Sequence, residues 1–282
     1  MATLTYEFTT PGLHTFDLPA NAINANFILR AGRGGNALAA TFVDPRNVGT
    51  PSPFVDGAQG QYMTGTFDPS TASGTITVYL GAKGGTATSN FGFDAGASGG
   101  LGYYYGGDGG QAPGAETWVT AGGGGGGGGA SALLTDDGTI LCIAGGGGGA
   151  GGSAYDYGGQ VPSYTPGLVT TLSGQGDGLT GGNGSTAANG GSGGGGGGNP
   201  KGNGGAPGIS GNHIPGKAGS GGGGYYNPLA FTACAITDEA FLPSLSDNGY
   251  FYISFDSGDP PTVQLSADPA VCLLYTSDAA DE

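Results

Sequence analysis

The chain has 282 residues, of which 68 are glycine and 37% are hydrophobic, so a side-chain core can occupy only part of it. Six Lys and Arg stand against 21 Asp and Glu, a formal charge of −15 with no basic stripe. This argues against nucleic-acid binding through phosphates, and an anionic membrane or polysaccharide would be repelled unless calcium or magnesium intervened.

Taken in order, Thr3 to Phe8 alternates as a strand, Thr10-Pro-Gly12 turns, and Leu13 to Leu18 alternates again, with His14, Phe16 and Leu18 on one face. Ile23 to Arg30 is a third strand with Phe27 and Leu29 on one face, and Ala31 to Gly35 opens a first glycine segment. Leu38 to Phe54, with Pro45, Pro51 and Pro53, reads as a surface excursion. Tyr62–Phe67 and Thr75–Leu80 are strands around an Asp68-Pro69 turn, and Gly81 to Gly85 opens a second glycine segment.

Glycine dominates from Thr86 to Ser246. Two pure runs, Gly122 to Gly129 and Gly145 to Gly149, enclose a short apolar hairpin: Ser131–Leu134 and Thr139–Ile143 around Asp136-Asp137-Gly138. A hairpin of that size is marginal alone and must dock, which fixes one end of each run and argues against a free tether. Extended glycine chains with three residues per turn can lie side by side because nothing projects between them, and their amides can then bond between neighbours. The region is therefore expected to be a bundle of polyglycine II helices over 86–247, with the hairpin at 130–144, inserted into a β-sandwich built from 1–85 and 248–256. Gly249 to Phe255 is expected to return and pair with the N-terminal strands, since its aromatic content would otherwise be stranded.

Aromatic or proline-bearing islands interrupt the glycines: Asn90–Phe93, Tyr103–Tyr105, Tyr155–Tyr157, Pro162–Tyr164 and Tyr225–Tyr226. They cannot lie inside a tight glycine bundle and are expected as loops at its ends. Tyr103, Tyr104, Tyr105, Tyr155, Tyr157, Tyr164, Tyr225 and Tyr226 are the candidate binding residues, because tyrosine offers large amphipathic area at low entropy cost. Caps that shield the bundle from water are the competing reading.

Motifs of chemistry are weak. Gly211-Asn-His-Ile-Pro-Gly-Lys217 has phosphate-loop spacing, but Ala218 stands where Ser or Thr would hold magnesium. His14 and His213 have no zinc-ligand spacing, and no nucleophile, paired catalytic carboxylates or Cys/His dyad can be assembled. No enzyme, cofactor or metal is expected. Cys142 and Cys234 leave open both a disulfide and two free thiols.

Residues 257–261 read as a linker, and Thr262 to Val271 resembles the start of an immunoglobulin-like module. Cys272 to Glu282 matches a translated sequencing adapter, so these residues do not belong to the fold and the natural protein is expected to continue past Val271. No basic n-region and apolar h-region precede the first strand.

The opening Phe8-Thr-Thr-Pro-Gly-Leu-His-Thr-Phe16, the stretches Gly65–Pro69 and Val78–Gly85, and above all Ala121–Ala132 with Ile143–Gly149 resemble the glycine-rich domain family. Similar modules occur in phage and bacterial surface proteins and in receptor ectodomains of the anaplastic lymphoma kinase type. The resemblance implies an all-β, jelly-roll (TNF-like) sandwich carrying polyglycine II helices, with almost no α-helix. It also implies a role in a virion, as a tail-fibre or structural protein binding a host-surface glycan or protein receptor. A bacterial extracellular spacer or adhesion protein is the alternative. The receptors' cysteines and kinase are lacking, so signalling is not implied. The acidic charge favours neutral or cationic glycans, or a metal bridge.

Overall fold

The computed structural model describes residues 2–37, 41–42, 56–90, 93–113, 119–120, 122–152, 180–185, 191–199, 201, 203–204, 216–237 and 247–257. Fifteen strands and no helix occur among them: β1 (Ala2–Phe8), β2 (Gly12–Leu18), β3 (Ile23–Arg30), β4 (Thr41–Phe42), β5 (Tyr62–Phe67), β6 (Gly74–Leu80), β7 (Thr88–Asn90), β8 (Phe93–Ala95), β9 (Ala112–Pro113), β10 (Val119–Thr120), β11 (Ser131–Thr135), β12 (Ile140–Ala144), β13 (Tyr225–Tyr226), β14 (Phe231–Thr237) and β15 (Tyr250–Ser257). The remainder of the expected 38–54 excursion, Trp118, the islands at 155–157 and 162–164, His213 and everything from residue 258 onward lie outside the described residues.

The fold is an all-β sandwich of two five-stranded antiparallel sheets. The first sheet runs β1-β15-β3-β5-β14 and the second β13-β12-β11-β6-β2. Alternation builds the space between them. Phe27 and Leu29 of β3, Met63 and Phe67 of β5, Phe251, Ile253 and Phe255 of β15, and Phe16, Leu18, Ile76, Val78 and Leu80 of the second sheet all point inward and are buried. The rings of Phe27, Phe67 and Phe231 meet with centroids 5.0 to 5.2 Å apart, and Phe16 stacks on Phe251 at 5.4 Å. Burying such a side chain contributes about 1.5–3 kcal/mol each, which makes this cluster the main apolar driving force of the described fold.

β15 pairs with β1 and β3, as its aromatic content requires. The hairpin does dock: β11 pairs with β6 on one side and β12 on the other, so it supplies the middle of the second sheet. Gly138 sits at φ 83° in its turn, where a side chain would be strained. Four sandwich strands come from the 86–247 stretch expected to be a glycine insertion: the hairpin strands β11 and β12, and β13 and β14. β14 lies in the stretch assigned to glycine yet pairs with β5, and Tyr225–Tyr226 is not a loop but an edge strand on β12. The sandwich therefore draws on the middle of the chain as well as its ends. Phe231–Thr237 is short and only weakly apolar, so it does not stand out from the glycine background, and pairing with β5 decides its state.

From one end of the sandwich the chain emerges repeatedly as extended glycine segments: 31–37, 56–61, 81–87, 96–101, 106–111, 122–130, 145–152, 180–185, 191–199 and 216–224. The 122–130 segment is at their centre. Its amides turn to a new neighbour at every residue: Gly124 N donates to Gly110 O (3.0 Å), Gly125 N to Ala150 O (2.9 Å) and Gly126 N to Gly85 O (3.1 Å). The cycle then repeats, with Gly127 to Gly107 O, Gly128 to Gly147 O and Gly129 to Ala82 O. Its carbonyls accept in the same rhythm from Ala97, Gly194 and Gly35, then from Gly100, Gly197 and Gly32. Six segments thus surround one, three taking its amides and three giving theirs.

This arrangement explains the sequence. With neighbours on all sides, no direction is left for a side chain; a Cβ added to Gly126 would fall far inside van der Waals contact of the Ser98 carbonyl oxygen. Segments with fewer neighbours carry Ala82, Lys83 or Asp108 on sides left at least partly open. The backbone is both packing surface and hydrogen-bond ladder, so the buried amides are satisfied without side chains.

Candidate functional site

Tyr103, Tyr104 and Tyr105 form the turn between the 96–101 and 106–111 segments at the sandwich end of the bundle. Tyr103 N donates to Ala130 O (3.0 Å) and Ala130 N donates to Tyr104 O (2.9 Å), which fixes the turn to the foot of β11. The rings of Tyr103 and Tyr104 stand 4.6 Å apart, and Tyr103 lies 5.2 Å from Tyr79. All three cover a small apolar cluster of Ala130, Ala132, Leu134 and Ile143 on the outward face of the second sheet. Burial, then the charge and hydrogen bond of Tyr103, push the Tyr104 phenol above its ordinary value. Tyr103 and Tyr104 are thus partly buried against this cluster.

Tyr105, Tyr225 and Tyr226 are exposed, at 53%, 41% and 37%. Tyr225 and Tyr226 stand on the edge strand β13; register pairs Tyr225 with Ile143 of the cluster under Tyr103 and Tyr104, on the same face of the second sheet, whereas Tyr226 pairs with Cys142 and has the opposite parity. Tyr155, Tyr157 and Tyr164 lie outside the described residues.

A different aromatic surface covers the outward face of the first sheet. Register aligns Tyr250, Arg30 and Tyr62 in one row across β15, β3 and β5. The next row is Glu7, Tyr252, Ile28, Thr64 and Ala235, and the one after it Thr5, Ser254, Asn26, Thr66 and Ala233. Tyr62, Tyr250 and Tyr252 are all half-buried. Burial first, then the neighbouring Glu7, then Tyr252 and Tyr62, push the Tyr250 phenol up to about 12.

Beside these rings runs a shallow open groove of about 460 Å³, lined by Asn26, Ile28, Thr64, Thr66, Ala233 and Ala235 among others. Its polar edge is ordered: Thr66 Oγ1 donates to Asn26 Oδ1 (2.7 Å), and Asn26 Nδ2 donates to Asn24 O (3.0 Å). The candidate binding tyrosines of the sequence all lie in the glycine field and none lies on this face. The available signal was strand parity, because Tyr250 and Tyr252 alternate with the inward Phe251 and Ile253, and Tyr62 precedes the inward Met63.

Where sandwich meets bundle, an ionic knot ties four segments. Arg33, 8% exposed, reaches Asp56 (3.1 Å) and Asp247 (3.2 Å) and donates from Nε to Gly57 O (3.1 Å), while Lys83 Nζ reaches Asp247 at 2.6 Å. Partial burial pushes the Asp247 carboxyl up, but Lys83 and Arg33 together hold it below its ordinary value. Each of these charges has a structural partner.

Cys142 and Cys234 are free, the first buried in the core and the second half-buried on β14. Among the described residues no three His, Cys, Asp or Glu are grouped to hold a metal ion. No protein-family model matches the sequence, and no curated protein matches it.

Proposed function

We propose that this chain is a non-enzymatic binding module displayed on a virion, as part of a tail fibre or related structural protein. In this reading a jelly-roll-type sandwich carries a bundle of left-handed polyglycine II helices, which holds surface residues rigidly for a cell-surface glycan or protein receptor. The observation that carries it is the central 122–130 segment, whose amides cycle through three neighbours with a period of three residues. Of the described glycines, Gly12, Gly74, Gly138 and Gly198 have positive φ, so those of the central run share the negative φ of a left-handed extended helix. A scaffold ordered by its own backbone presents side chains without a further ordering cost at each encounter.

A passive spacer on a bacterial surface is the second reading, favoured by the packing of Tyr103 and Tyr104 over an apolar cluster. The two separate in a binding experiment. Fluorescently labelled protein should bind bacterial cells or immobilised glycans saturably if it is a binding module. Absence of saturable binding to either favours the spacer.

A further inference from the structure

We infer that the outward face of the first sheet is a binding platform for an uncharged polysaccharide, lying across the strands from β15 toward β14. This deepens the binding-module reading and rests on it.

Three features of the face select the ligand. The first is aromatic spacing. Tyr250 and Tyr62 share one row with β3 between them, so their positions are two strand spacings apart, about 10 Å, comparable to two linked hexose rings. Tyr252 stands in the next row, and Ile28 and the groove continue the path toward β14. Half-buried rings held on strands keep their faces in place, and sugar C–H faces pack on aromatic rings while phenol hydroxyls bond sugar hydroxyls.

The second is charge. Among the described residues the acidic groups on this face are Glu7 and Asp256, and the cation at its centre, Arg30, is 8% exposed with an Nη group donating to Asn248 O at 2.8 Å. On a chain of net charge −15 such a face repels anionic polymers and offers an anionic ligand little in return. Its amides, hydroxyls and phenols suit a polymer of neutral hydroxyl groups.

The third is preorganisation. Asp256 accepts from Thr3 Oγ1 (2.7 Å) and from Asn24 Nδ2 (3.0 Å), and Asn26 is fixed by Thr66 and Asn24. These polar groups are set before a ligand arrives, which lowers the cost of binding. Ala233 and Ala235 on the edge strand keep that side of the groove low, so a long chain can enter and leave rather than end in a pocket.

The test is affinity electrophoresis of the full chain through gels containing a β-glucan, a galactomannan or an arabinoxylan, with an anionic alginate gel as comparison. The platform predicts retardation by at least one neutral polymer and none by alginate. Tyr62→Ala, Tyr250→Ala and Tyr252→Ala should each weaken binding roughly tenfold, as loss of one aromatic contact does, with thermal unfolding confirming that each variant folds. The gentler changes Tyr62→Phe and Tyr252→Phe should retain most binding.

If the parent is retarded but only the triple variant Tyr105→Ser/Tyr225→Ser/Tyr226→Ser loses it, the platform is wrong and the binding-module reading survives. The platform also falls if alginate retards the protein and the neutral polymers do not. If no polymer retards the parent, the platform falls, and the cell-binding measurement decides the broader reading separately.

Discussion

Replacing Gly126 by alanine adds one methyl group in the central segment of the bundle. The new Cβ meets the Ser98 carbonyl oxygen, and the 96–101 segment would have to retreat by more than about 1 Å to restore contact distance. That segment is held by Ala97 N to Gly124 O (3.1 Å) and Gly100 N to Gly127 O (2.8 Å), so retreat stretches both bonds. Two net hydrogen bonds at about 1 kcal/mol each, with overpacking of about 1–3 kcal/mol, give a loss of roughly 3–5 kcal/mol. The reduced entropy of the unfolded chain offsets only about 0.4–1 kcal/mol of this. For a domain of this size the melting temperature should fall by on the order of 10 °C. Ala82→Gly, in a segment with an open side, is the control and should cost less than about 1 kcal/mol. Differential scanning calorimetry of both variants measures the contrast. A Gly126→Ala protein melting within about 2 °C of the parent would refute the reasoning, because a flexible glycine tether would accept the methyl group.

Phe27→Ala should destabilise by about 3–5 kcal/mol in urea unfolding, since its ring joins Phe67 and Phe231 at the centre of the core. Tyr103→Ala should lower stability by uncovering the apolar cluster on the second sheet, whereas Tyr105→Ser should leave the melting temperature almost unchanged. Asp247 has a folded pKa depressed below 3.8, so its contribution is fully present above that value and is lost as pH falls through the folded pKa. Asp247→Asn should therefore flatten the acid limb of the stability curve below about pH 4, and an unchanged limb would contradict the ionic knot. Burial raises the thiol pKa of Cys142 well above its usual value and that of Cys234 to about 11. Peptide mass spectrometry after iodoacetamide at neutral pH should accordingly find slow labelling at Cys234 and none at Cys142 until the protein unfolds.

Strand periodicity made the sandwich legible. Phe16 and Leu18, Phe27 and Leu29, and Phe251, Ile253 and Phe255 face inward because period-two alternation leaves them no other arrangement. The pure run Gly122 to Gly129 has a physical reason in the structure, because a segment with neighbours on every side can carry no side chain. β14 was hidden because Phe231-Thr-Ala-Cys-Ala-Ile-Thr237 is only weakly apolar, and pairing with β5 rather than propensity makes it a strand. Tyr225 and Tyr226 were misread for a related reason: two residues carry no periodicity, and their strand exists through β12 alone.

The site was less legible than the fold. Tyrosines in a glycine field attract attention, yet Tyr103 and Tyr104 lie over apolar side chains that come from β11 and β12. Tyr62, Tyr250 and Tyr252 are far apart in sequence and become one surface only through the registers of β15 on β3 and β3 on β5. Parity could tell that they point outward, but not that they point outward together.

The central claim is that the 122–130 segment is a bonded backbone surrounded by six others, and amide hydrogen exchange tests it most directly. Residue-resolved NMR exchange should find the amides of Gly124 through Gly129 consecutively protected, with opening free energies approaching that of global unfolding. A free glycine tether would exchange all six at unstructured rates, and an edge strand would protect only every second one. Either pattern would contradict the account.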